Sequence, residues 1–102
     1  MNKQGEYSEL QIQIANFAKA MSHPARVYIL EILSKMNSCC YSGDIVQDLP
    51  ISRSALSLHF KELKHAGLIK GTTETPYIKY CINRENWEIA KKVFKELFEE
   101  KI

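Results

Sequence analysis

Four Gly, three Pro and three Cys in 102 residues leave little to break, disorder or cross-link this chain. With 45% hydrophobic and 25% charged residues, that scarcity excludes a low-complexity or disordered polymer and leaves a globular protein. No apolar run approaches the roughly 20 residues of a membrane-spanning helix. The opening Met1-Asn2-Lys3-Gln4-Gly5-Glu6 has no apolar core behind its single lysine, so no secretory signal is expected. Three cysteines, an odd number at irregular spacing, do not make a disulfide framework, which fits a reducing cytoplasm. Catalytic signatures are missing too: there is no Ser-His-Asp or Cys-His pattern, no glycine-rich phosphate loop and no His-rich metal motif. His23, His59 and His65 are scattered. The expectation is a single non-enzymatic domain over residues 1–102, with no membrane partner.

Helical and strand periods then divide the chain. Leu10, Ile14, Phe17 and Met21 recur at three- and four-residue steps, predicting a helix over 8–20. Ser22-His23-Pro24 is a break and restart, because proline suits only a helix's first turn. The next helix should reach about Met36, with Val27, Leu30 and Leu33 on one face. A short extended piece follows at 39–41. Ser42 then caps a brief helix over 44–49, with Asp44 near its positive end. Pro50 stops it, and Ser52 opens a helix over 52–66. Residues 68–72 and 77–82 alternate as strands around a loop, and Asn83 caps a last helix to about Lys101.

The stretch 51–69 is the most informative. Ser52 is an N-cap residue, and Gly67 is the residue best able to end a helix in the left-handed conformation. Leu56, Phe60 and Leu63 form one apolar stripe. The opposite face carries Arg53, Ser54, Ser57, Lys61 and Lys64, with no carboxylate. Such a helix suits a DNA major groove, or else a solvated surface. Charge points the same way. Residues 1–50 hold four Lys/Arg against five Asp/Glu, residues 51–80 five against two, and residues 81–102 five of each, so the positive excess lies on this helix and the hairpin after it.

The wording Ser52, Ser54, Ser57, His59, Phe60, Leu63, Ala66, Gly67, Leu68, Ile69 resembles the recognition helix of ArsR/SmtB-family winged-helix regulators. Upstream, Ala20-Met21-Ser22-His23-Pro24-Ala25-Arg26-Val27-Tyr28-Ile29-Leu30 is similar to a second signature of that family, in the right order and spacing. The resemblance spans nearly the whole chain. It implies a mainly α fold with a small β-hairpin, a winged helix-turn-helix of order α-α-β-α-α-β-β-α, dimeric through its terminal helices. It further implies a repressor that binds double-stranded DNA at an inverted repeat.

On that resemblance, Arg53, Ser54, Ser57 and Leu58 lie at the groove-facing half of the recognition helix. Arg53 is the best reader of a guanine edge. Leu58 departs from the family's polar residue, and either meets a thymine methyl or costs affinity. His59 either bonds a phosphate or packs inside. Lys61 and Lys64 suit phosphate contacts. In the wing, Lys70, Thr72, Thr73 and Lys79 are candidates, although Glu74 and Pro76 stand where the family has more arginine. The homodimer surface would use Leu10, Ile14 and Phe17 with Trp87, Ala90, Val93, Phe94 and Leu97.

Effector chemistry is left to the cysteines. One metal site common in the family would fall on Tyr41 and Gly43, and another would need His or Asp within 84–101; both sets are missing. No cofactor is required for DNA binding. Cys39, Cys40 and Cys81 remain candidates for a thiophilic metal or metalloid. Alternation on a strand turns Cys39 and Cys40 to opposite faces. Cys81 and the outward one, Cys39, would then form a redox pair, or else Cys40 is a small buried hydrophobe and the other two are bystanders. The rival from another class is a winged-helix module for protein–protein contact, without sequence-specific DNA binding.

Overall fold

The computed structural model describes residues 3–36, 39–45, 47 and 49–99. A 3-10 turn over Lys3–Glu6 leads into α1 (Glu9–Ala20). Ser8 starts that helix with a reciprocal cap: its hydroxyl accepts from the Gln11 amide at 3.0 Å, and Gln11 Oε1 accepts from the Ser8 amide at 2.9 Å. Helix α2 (Pro24–Ser34) has proline in its first turn, and His23 Nδ1 accepts from the Ala25 amide at 3.0 Å. Strand β1 (Cys40–Tyr41) runs directly into α3 (Ser42–Ile45). Helix α4 (Arg53–His65) is followed by β2 (Ile69–Glu74), β3 (Tyr77–Ile82) and α5 (Arg84–Glu99). Asn83 Oδ1 caps α5 by accepting from the Asn86 amide at 3.2 Å.

The sheet is antiparallel in the order β1-β3-β2, with Cys40 opposite Tyr80 and Lys70 opposite Cys81. Its inner face closes one core with α1, α2, α4 and α5, made by Phe17, Ile29, Leu30, Leu33, Phe60, Leu63, Leu68, Ile82 and Val93 among others. Truncating any of the fully buried members, such as Leu63 or Ile29, would cost about 2–5 kcal/mol. The architecture is the winged helix-turn-helix that the motifs implied.

Several boundaries differ from the sequence reading, and for α2 and β2 the reason is a partner distant in the chain. Helix α2 stops at Ser34 rather than near Met36, where Arg84 from the far end of the chain takes up the freed carbonyls. Of the helix expected over 44–49, the described part is the turn Ser42–Ile45, with Gln47 and Leu49 not helical; residues 46 and 48 lie outside the described residues. Cross-strand pairing carries β2 on to Glu74, which faces Tyr77, so the wing's turn is Thr75-Pro76 alone, with a cis bond. The expected end of α5 near Lys101 lies outside the described residues; the helix is described to Glu99. Cys39 and Cys81 are bonded, a single disulfide rather than a framework.

Candidate nucleic-acid interface

Helix α4 is fixed at both ends and along one side. At its start the Ser52 hydroxyl accepts from the Ala55 amide at 3.2 Å. Its end is a Schellman turn: Gly67 N donates to Lys64 O at 2.9 Å, Leu68 N donates to Leu63 O at 3.1 Å, and Gly67 has φ of +82°. Leu63 and Leu68, the hydrophobic pair of such a turn, are both fully buried. Phe60 stacks on Tyr80 of β3 with ring centroids 4.3 Å apart, which ties the helix to the wing.

So held, α4 turns Arg53, Ser54, Ser57, Leu58, Lys61 and Lys64 to solvent, as the sequence reading placed them. Glu62, the one carboxylate on the helix, is half-buried beside Lys19, Ala66 and His65, away from that face. The exposed face is therefore built of cations, hydroxyls and one half-exposed leucine. Those groups can donate to phosphate oxygens and base edges with no like charge to repel the backbone.

His59 does not belong to this face. It is 7% exposed, and its Nδ1 accepts from Arg26 Nε at 3.0 Å. The His23 ring lies 4.4 Å from its own. Burial first, then the charges of His23 and Arg26, push the His59 pKa down from 6.5, so the neutral ring with a free Nδ1 lone pair is favoured. Of the two roles left open in the sequence, packing is the one the structure gives it. Arg26, whose Nη1 also donates to Ala20 O at 3.4 Å, joins α2 to α4 through this ring.

The wing is polar at its base and apolar at its tip. Lys70, Thr72 and Thr73 are exposed. Lys79 is bound to Glu74 at 3.4 Å and sits 5.2 Å over the Tyr41 ring. The Glu74 hydrogen bond and charge raise its pKa, with Tyr41 adding to the effect. Its charge is thus partly spent within the wing. Tyr77 and Ile78, not singled out in the sequence, are exposed at the tip and line, with Tyr41, Ser57 and Pro76, a cleft of about 530 Å³ between wing and α4. The signal that was available is the pair of exposed apolar residues Tyr77-Ile78 directly after Pro76.

The residues expected at the dimer surface fall into two groups. Phe17, Ala90 and Val93 are in the protomer's own core, and Trp87, Phe94 and Ile14 pack against it. Leu10 and Leu97 are exposed and line, with Ile14, a groove of about 590 Å³ between α1 and α5. Phe98 stands beyond them at 77% exposure, stacked on Phe94 at 6.0 Å. Cys39 and Cys81 meet as alternation placed them, and Cys40 Sγ lies 3.0 Å from Met36 Sδ. Among the described residues, no group of three or more His, Cys, Asp or Glu gathers to hold a metal.

The model of the bacterial regulatory proteins of the arsR family matches residues 23–70, from the cap of α2 to the start of the wing. The HTH-type transcriptional regulator YgaV of Escherichia coli is 35% identical over 83 residues, covering 78% of this chain and 83% of that protein. Among solved structures, an ArsR-like transcriptional regulator from Rhodococcus superposes with a TM-score of 0.70 at 20% identity, over 88% of this chain and 83% of that one. The homodimeric winged helix-turn-helix DNA-binding domain of a possible ArsR-family regulator from Mycobacterium bovis does so with a TM-score of 0.65 at 21% identity, over 97% and 91%. No described helix is long and apolar enough to cross a membrane. The same residues that cap, pack and end α2 and α4 are those the family model matches, and this chain belongs to the arsR family of bacterial regulatory proteins.

Proposed function

We propose that this regulator is a cytoplasmic, non-enzymatic repressor that binds an inverted-repeat operator as a homodimer. Each α4 enters one of two successive major grooves, about 34 Å apart. The observation that carries this reading is the carboxylate-free exposed face of α4, held rigid by the Ser52 cap, the Phe60–Tyr80 stack and the Gly67 turn. Arg53 reads a base edge, Ser54 and Ser57 bond bases or phosphates, and Lys61 and Lys64 neutralise phosphates. Lys70, Thr72 and Thr73 add backbone contacts from the wing. No cofactor is needed to present these groups.

Dimerisation is supported by shape and surface. The radius of gyration is 15.1 Å, against about 13 Å for a compact domain of 100 residues. Leu10, Leu97 and Phe98 offer an apolar strip along α1 and α5 that a second copy would cover. The M. bovis domain with the same fold is described as homodimeric.

Fluorescence anisotropy on duplexes from the gene's own upstream region, titrated with salt, tests the proposal. Tight binding to one inverted repeat over scrambled DNA, falling steeply with salt, is expected. Weak, sequence-blind binding would overturn it and turn attention to a protein partner for the 51–69 face.

A further inference from the structure

The Cys39–Cys81 bond joins the segment entering the helix-turn-helix to the wing, two units that must keep their relative position to grip DNA. Cys39 precedes β1, whose two residues run straight into α3, and Cys81 is in β3. Without the bond β1 is held to β3 by the pairing of Cys40 and Tyr41 alone, a strand too short to be secure at a sheet edge. The bond is reachable. Cys39 is exposed, and both sulfur-bearing residues line a cleft of about 320 Å³ with Ser34, Met36 and Arg84.

Cations surround it. Lys70 is directly opposite Cys81 on β2, where cross-strand neighbours share a face. Arg84 lines the same cleft and donates to Ser34 O at 3.2 Å and Met36 O at 2.7 Å, neutral acceptors that leave its charge uncancelled. Nearby cations favour the thiolate, the reactive form of cysteine, once such a bond is opened.

We propose that Cys39 and Cys81 are a reversible thiol–disulfide site, oxidised by peroxides and reduced by dithiols, whose bonded form holds wing and helix-turn-helix in the arrangement that binds DNA. This rests on the DNA-binding reading above. In oxidation, one thiolate attacks hydrogen peroxide: an S–O bond forms, the O–O bond breaks, and hydroxide leaves and takes a proton to become water. The second thiol then attacks the sulfenic sulfur, forming the S–S bond and releasing water. The pair loses two electrons and the peroxide gains them. In reduction a dithiol takes the bond by two exchange steps and departs as its own cyclic disulfide.

The test uses the full chain reduced with dithiothreitol and desalted, one half then treated with hydrogen peroxide. Intact mass reads the bond, far-UV circular dichroism reads folding, and anisotropy on the upstream duplex reads affinity. The reduced form should gain two hydrogens in mass, stay folded, and bind DNA between roughly 5- and 150-fold more weakly, the usual span of a coupling between two sites. Peroxide should restore both mass and affinity. Cys39→Ser and Cys81→Ser should match the reduced form and ignore peroxide, while Cys40→Ser keeps the response. Since a serine variant that does not fold reads nothing, the two forms of the unmutated chain are the deciding comparison. Equal affinity of the folded forms, or a mass that peroxide leaves unchanged, overturns the switch. Failure of both forms to bind any upstream DNA, with the mass change intact, overturns the DNA-binding reading instead.

Discussion

Replacing Gly67 by alanine tests whether the end of the recognition helix is built as described. Gly67 has φ of +82°, a conformation that costs an L-residue about 1–2 kcal/mol. An added Cβ would also stand 2.7 Å from Asn86 Nδ2, the atom that donates to Gly67 O at 2.8 Å. Asn86 must swing away, and that hydrogen bond contributes about 1 kcal/mol. Gly67→Ala should therefore lose about 2–3 kcal/mol, the sum of the backbone and hydrogen-bond costs. At about 4–8 °C per kcal/mol for a domain of this size, the melting temperature falls by roughly 10–20 °C. Asn86→Ala alone should lose about 1 kcal/mol. The double variant should lose no more than Gly67→Ala, because the same hydrogen bond is lost in each. Thermal and denaturant melts of the four proteins measure this cycle. A Gly67→Ala protein within about 0.5 kcal/mol of the parent, or a double variant equal to the sum of the singles, would refute the reasoning.

Other consequences are open to direct measurement. His59 has a folded pKa below its unfolded value near 6.5, so its contribution to stability is intact above that pH and is lost as pH falls through the lowered folded value. Melting temperature should hold from pH 8 to about 6.5 and then decline, and His59→Asn, which keeps an acceptor for Arg26, should flatten that decline. Arg53→Ala should cost about 1–3 kcal/mol on the operator and relax discrimination at one position in each half-site, read by competition with point-changed duplexes. Lys61→Ala should weaken all sequences alike and reduce the salt slope by about one per protomer. Phe98→Ala, at a side chain 77% exposed in the protomer, should leave the monomer's melting unchanged but weaken the dimer by about 2 kcal/mol or more in sedimentation.

What the sequence made legible was local chemistry. Pro24, Ser52, Gly67 and Asn83 each signal a helix end through their own backbone or side chain, and the structure uses each in that role. Strand alternation, added to the strand pairing that the family resemblance implied, picked Cys39 over Cys40 as the partner within reach of Cys81, and the two are bonded. What stayed hidden was decided between distant segments. An apolar stripe does not divide itself between a protomer's own core and a partner's, so Phe17, Ala90 and Val93 read the same as Leu97. His59 falls three residues after Leu56, on the apolar side of the 52–66 pattern, but the partner that satisfies its ring inside, Arg26, lies 33 residues earlier in the chain. The length of β2 depends on β3, and the end of α2 on Arg84; neither partner is adjacent in the chain.

The beginning of α5 is where these distant dependencies converge, and that placement has a mechanical consequence. Asn83 N donates to Leu68 O at 3.0 Å, Arg84 holds the last carbonyls of α2, and Asn86 holds the carbonyl of Gly67. Three neighbouring side chains or amides thus grip the residue leading into the first strand of the wing, the helix before the helix-turn-helix and the end of the recognition helix. The far end of the same helix carries Leu97 and Phe98 toward the surface proposed for a second copy. A helix of 16 residues is about 24 Å long, so a tilt of roughly 5° at one end moves the other by about 2 Å. Displacement of that size is comparable to a hydrogen bond's length, and it would be delivered to α4 by short polar contacts rather than through deformable core. In the proposed dimer, a change in the tilt of α5 would therefore change where the recognition helices sit on DNA, and the proposed switch at Cys81, two residues before Asn83, would act on the same joint from the other side.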